Sequence, residues 1–161
     1  MPFNWAHIHL LINHFPIILT LLGLAAAILA LVTRRRTVWL YAVATLTLSG
    51  LSVVPVDLTG DAAADIMKDK WYVVKDSIRA HDDMAGNTEW VVLIMGVASA
   101  YAWWRLVRRG ADGTLPAWLR AVVVGSALIG AGLASYTAYL GGNIVYGSPR
   151  LATPPSGAVP Q

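Results

Sequence analysis

The chain has 161 residues, of which 57% are hydrophobic and 13% charged, with a formal net charge of +3 and a mean hydropathy of +0.58. A soluble domain carries about a quarter charged residues, so this composition excludes a disordered chain and argues against a small soluble globule, which could not cover so much apolar side chain. The absence of cysteine removes disulfides, iron–sulfur clusters and thiolate metal sites. The basic residues stand between apolar runs instead of forming a solvated patch, so nucleic acid is not the implied partner. The lipid bilayer is.

Four apolar stretches are long enough to cross about 30 Å of hydrocarbon, which takes about 20 helical residues. They cover about residues 10–32, 38–56, 84–107 and 117–140, and none alternates as a barrel strand does. The first ends on Arg34-Arg35-Arg36, and the third ends at Arg108-Arg109-Gly110. The fourth starts after Pro116, a good first-turn residue, and its end is read at Gly141-Gly142, which would close the helix and turn the chain. Between the second and third spans lies a polar loop, 57–83, rich in Asp and Lys. The expected fold is therefore an all-α integral membrane protein, a four-helix bundle over residues 1–147 with an extended tail at 148–161.

Charge sets the expected direction. Arg34, Arg35, Arg36, Arg105, Arg108, Arg109 and Arg120 share one side with a single acid, Asp112. Lys68, Lys70, Lys75, Arg79 and Arg150 share the other with all the remaining acids. The arginine side is read as cytoplasmic and both termini as periplasmic, in a bacterial inner membrane. No signal peptide is expected, because the charges follow the first apolar run. Trp39, Trp103, Trp104 and Trp118 at one edge, with Trp5, Trp71 and Trp90 at the other, read as interface anchors. Helix packing is assigned to the small residues Gly23, Ala27, Gly96, Ala100, Gly125, Ser126, Gly130 and Ala134.

The four histidines, His7, His9, His14 and His81, all lie toward the acidic side. At about 1.5 Å per residue, His14 lies roughly 30 Å from Arg34, His81 roughly 36 Å from Arg105, and Tyr139 roughly 28 Å from Arg120. A shared depth on different helices is what a cofactor held in a bundle core requires. An ionisable side chain such as His14, at the start of an apolar helix beside the helix-breaking Pro16, usually faces the interior and has a partner. Paired with His81 it reads as an axial ligand of haem iron. Two neutral imidazoles make a low-spin b-type site with no position open to substrate. The competing reading makes His14 a hydrogen-bonded interface residue and His81 an ordinary loop residue. His7 and His9 could grip copper or zinc only if their segment is extended, because in a helix they diverge by about 200°. Glu89 and Asp57, the acids nearest the membrane, are candidates for a proton path, and Lys75 and Arg79 for neutralising haem propionates.

Three pieces resemble a widespread bacterial family of small four-helix membrane proteins of unknown function. They are His9-Leu10-Leu11-Ile12-Asn13-His14-Phe15-Pro16, similar to that family's His…Val-His-Phe-Pro-Ile, then His81, and then Leu140-Gly141-Gly142-Asn143-Ile144-Val145-Tyr146-Gly147, similar to its His-Leu-Gly-Gly-x-Leu-Val-Tyr ending. The resemblance implies haem binding and a redox partner. It also exposes a departure, since Tyr139 stands where the family's closing motif has histidine. One haem b at most is then expected, from the set His9, His14 and His81, the chain having either lost a ligand or taken Tyr139 in its place. Two functions follow. One is a b-type haem protein passing electrons to a periplasmic redox protein; the other is a non-catalytic accessory subunit of a larger respiratory or photosynthetic complex, without haem and binding pigment, lipid or another subunit. No enzyme motif is present.

Overall fold

A computed structural model describes residues 4–68, 75–110 and 114–146. These form five helices and no strand: α1 (Trp5–Ile12), α2 (His14–Thr33), α3 (Arg36–Met67), α4 (Lys75–Arg108) and α5 (Ala117–Tyr146). Because α1 and α2 run on as one span, four helical segments are long and apolar enough to cross a membrane. Each helix packs on its chain neighbour and α2 closes against α5, so the bundle is a four-membered ring with α1 lying on α3. Its two ends are called here the arginine end and the histidine end.

The bundle is apolar outside as well as inside. Leu11, Val32 and Val97 are each more than 70% exposed, which water would penalise and lipid tails do not. The core runs through Ala27, Val43, Leu46, Val92, Met95, Leu106, Leu119 and Val123. Close approach is set by glycine. A Cβ on Gly96 would come within 2.8 Å of the Gly50 Cα, so α3 and α4 cross backbone against backbone. A Cβ on Gly23 would strike the Leu46 side chain at 2.5 Å. Not every small residue serves this purpose, because a Cβ on Gly125 meets nothing within 4 Å.

One layer crosses the whole ring at this level. A Cβ on Gly130 would touch Val92, Met95 and Thr20 at 3.6–3.8 Å. Thr20 Oγ1 lies 2.8 Å from Ser49 Oγ, which itself donates to the Pro16 carbonyl at 3.0 Å. Both hydroxyls are fully buried, and in hydrocarbon an unpaired hydroxyl would be costly, so pairing across α2 and α3 satisfies them.

At the arginine end, Arg34 takes a left-handed conformation (φ 55°) and its N–H closes on the Ala30 carbonyl at 2.9 Å. This lets α3 begin at Arg36, with only two residues between it and the end of α2. The Arg36 guanidinium donates to the Leu106 carbonyl at 2.9 Å, serving a carbonyl in the last turn of α4, where helical partners run out. Tyr101 stacks on Trp104 and Trp118, with Arg105 and Arg108 lying over the Tyr101 and Trp104 rings. That is the aromatic and basic composition of a membrane interface. Trp39 departs from the interface-anchor expectation: at 5% exposure it is part of the core.

The polar segment 57–83 is mostly helical. The backbone of α3 continues past Pro55 to Met67, and that of α4 begins at Lys75. Polar residues do not end a helix unless they compete for its backbone, and the Ala62-Ala63-Ala64 run favours continuation. Likewise α5 passes through Gly141-Gly142 to Tyr146, so that pair does not close it. The predicted tail 148–161 and Trp71 lie outside the described residues.

Substituting Gly96→Ala should cost about 1–3 kcal/mol, because the facing group is backbone and cannot turn aside. Gly132→Ala, where a Cβ meets nothing, should be neutral or slightly stabilising. Thermal unfolding of both variants in detergent checks the contrast.

Candidate functional site: two clamped histidines at one end of the bundle

Depth along the bundle is best measured from the Thr20–Ser49–Val92–Gly130 layer, since those residues touch or bond across it. Counting eleven residues toward the histidine end reaches His9 from Thr20, Gly60 from Ser49, His81 from Val92 and Gly141 from Gly130. All four lie about 16 Å from the layer. His14, six residues from Thr20, is only about 9 Å out. His9 is therefore level with His81, and His14 lies about 7 Å further in.

The two level histidines have the same surroundings. His9 on α1 puts Nδ1 3.1 Å from the Val56 carbonyl of α3, and a Cβ on Gly60 would lie 3.2 Å from its ring. His81 on α4 puts Nδ1 3.0 Å from the Thr137 carbonyl of α5, and a Cβ on Gly141 would lie 3.1 Å from its ring. In each case the carbonyl is four residues before the glycine, one turn away on the same helix face. The bare glycine admits the flat ring, and the carbonyl one turn back holds its edge.

This geometry fixes the tautomer. A carbonyl only accepts, so Nδ1 carries the proton in both rings and the neutral imidazole keeps a lone pair on Nε2. Neither Nε2 has a hydrogen-bond partner among the described residues. An N–H anchored on backbone carbonyl with the opposite nitrogen free is the arrangement that orients histidine ligands on metals.

Hydroxyls brace each clamp. Thr59 Oγ1 donates to the Pro55 carbonyl at 2.8 Å and lies 3.3 Å from His9 Nδ1, so it accepts a share of that N–H. Thr88 donates to the Met84 carbonyl and pairs with Thr137 Oγ1 at 2.7 Å, tying α4 to α5 beside His81. The two rings are also near enough that a charge on His81 is felt at His9, as is the charge of Asp82.

The other candidates sit elsewhere. His14 is exposed, and its Nδ1 bonds the Leu10 carbonyl of the preceding turn at 3.1 Å. It bridges the step between α1 and α2, where Pro16 lacks an N–H. Tyr139 is 64% exposed and stacks on Tyr136. It is two residues from both Thr137 and Gly141, hence about 200° around α5 from the face that holds His81. Arg79 lies 3.7 Å from Asp76 on its own helix with 78% of its side chain exposed. His7 is exposed on the helical α1, which removes the extended conformation a His7–His9 metal grip requires. Among the described residues no three His, Asp or Glu side chains converge on a metal site. Asp57 on α3 and Glu89 on α4 do approach each other across the helix crossing.

Sequence reasoning missed Gly60 and gave Gly141 a terminating role. Comparison with family models, with curated proteins and with solved structures finds no match for this chain.

Replacing Gly141 by Val should push the His81 ring off its carbonyl and cost about 1–2 kcal/mol, from one lost hydrogen bond and local overpacking. Gly142→Val, where a Cβ meets nothing within 4 Å, should cost clearly less. Chemical or thermal unfolding in detergent compares the two.

Proposed function

We propose that this protein is a membrane b-type haem protein with His9 and His81 as the axial pair, carrying electrons at the histidine end of the bundle. The observation that supports this reading best is the matched pair of clamps: two imidazoles at one depth on different helices, both with Nδ1 anchored to backbone and Nε2 free. The donor set fits the group, because neutral imidazole nitrogen is a ligand that haem iron accepts in pairs. Held by His9 and His81, haem would supply one-electron redox chemistry, and two imidazoles on its iron would leave no position for substrate. The role is electron transfer, not catalysis.

The chain's own residues then do three things. His9 and His81 present their Nε2 lone pairs in one orientation, since the carbonyls of Val56 and Thr137 prevent the rings from flipping. Hydrogen bonding at Nδ1 raises ligand basicity, which favours the oxidised metal. Lys68, Lys75 and Arg79 are the exposed cations of this end among the described residues and suit the neutralisation of propionates. By the positive-inside rule, the histidine end faces the periplasm of a bacterial inner membrane and both termini lie on that side. His14 keeps the structural part its geometry gives it, and Tyr139 contributes no ligand.

The test is a reduced-minus-oxidised visible spectrum of gently purified protein. A b-type α-band is expected, lost in His9→Ala and in His81→Ala and retained in His14→Ala and Tyr139→Phe. A folded protein without haem signal would overturn the proposal and leave the accessory-subunit role, and a band lost in His14→Ala but retained in His9→Ala would overturn the choice of ligands.

A further inference from the structure

The opposite end of the bundle carries a second feature, independent of the histidines. A shallow groove runs between α2 and α5, bordered by Leu31 on α2 and by Ala121, Val124, Gly125 and Leu128 on α5, with Arg120 at its arginine end. Its floor is open at Gly125, where a Cβ would meet nothing within 4 Å. From Arg120 to Leu128 it extends about 12 Å along the helix, all of it apolar beyond the guanidinium.

Arg120 is the informative residue. Its side chain is half-buried, and its Nε is shielded from solvent with no hydrogen-bond partner. No acid pairs with it among the described residues. A guanidinium with five donors, partly desolvated and unpaired, is energetically incomplete, and its fork matches the oxygens of a phosphate. Arg36 and Arg105 have the same shielded, unpartnered Nε, but each places a terminal nitrogen on a protein acceptor. Arg36 donates to the Leu106 carbonyl, Arg105 to the Tyr101 hydroxyl, and Arg108 lies over Trp104. Arg34 and Arg35 stand exposed at the turn after α2. The exposed tryptophans Trp104 and Trp118 mark the same level as the membrane interface, which is where a lipid phosphate lies. An unpaired cation at the interface continuous with an apolar channel running into the hydrocarbon has the charge distribution of an anionic phospholipid in reverse.

We propose that this groove is a binding site for one anionic phospholipid of the leaflet at the arginine end, with its phosphate on Arg120 and an acyl chain along α5 over Gly125. The lipid fills the seam between the first and last spans, where the ring of helices closes. The site is separate from the histidine clamps and does not depend on the haem reading.

Native mass spectrometry of the detergent-purified protein, titrated with phosphatidylglycerol or phosphatidylcholine, tests it. The wild type should retain phosphatidylglycerol about tenfold better: both lipids carry the phosphate, but the choline cation of phosphatidylcholine offsets its charge beside Arg120. Arg120→Gln should bring that ratio close to one. Gly125→Leu, whose Cβ meets nothing within 4 Å and whose side chain would take up channel space, should weaken both lipids, while Arg34→Gln with Arg35→Gln should keep the preference. Circular dichroism confirms that each variant is helical. Equal retention of the two lipids by wild type, a preference that survives Arg120→Gln, unchanged binding in Gly125→Leu, or a preference lost only with Arg34 and Arg35 would each overturn the proposal.

Discussion

Gly50 and Gly96 meet backbone to backbone, and the spacing of everything else depends on that contact. It joins two helical hairpins, α1–α2–α3 and α4–α5, at a distance no larger residue would permit. Small residues are the usual means of such approach in membranes, where the surrounding lipid is as apolar as the helices and packing must supply the attraction. Alongside the crossing, the buried Thr20–Ser49 pair and the Gly130 contacts tie all four spans into one layer. From that layer each helix projects as a nearly rigid rod, so a fixed number of residues becomes a fixed depth.

Both hairpins use that rigidity in the same way. The leading helix carries a histidine eleven residues from the layer, and the returning helix carries a glycine eleven residues from it. The carbonyl one turn before the glycine takes the imidazole N–H. A polar ring near hydrocarbon must be hydrogen-bonded or it is expensive, and here the backbone meets that requirement while leaving the second nitrogen free. The repeated device is the strongest reason to read these residues as ligands. A histidine held only for packing does not require a second copy at equal depth in the other hairpin.

Much of the fold was legible because lipid enforces simple rules. Four spans followed from apolar length, and the basic clusters at Arg34–Arg36 and Arg108–Arg109 marked one end. The extent of the helices was less so. Polar residues between 57 and 83 resemble a loop by composition, yet α3 and α4 continue into that segment. Gly141-Gly142 resembles a helix stop, yet Gly141 is needed inside α5 as a landing site for His81. Trp39 resembles an interface anchor and is buried, because hydropathy does not say which face of a helix looks inward. Pro16 and its apolar surroundings drew attention to His14, although the arithmetic favoured its neighbour. His9 is 25 residues from Arg34, against 24 from His81 to Arg105. What the sequence could not show was the pairing of each histidine with a glycine some fifty or sixty positions away, since that contact exists only once the hairpins close.

Electron paramagnetic resonance of the oxidised protein in its native membrane lipid reads the iron's ligands most directly. Two imidazoles bound through Nε2, as proposed for His9 and His81, predict a low-spin ferric signal with no high-spin component. A high-spin signal would mean an open axial position, and the absence of any ferric haem signal from folded protein would mean that the paired clamps serve only to hold the helices together.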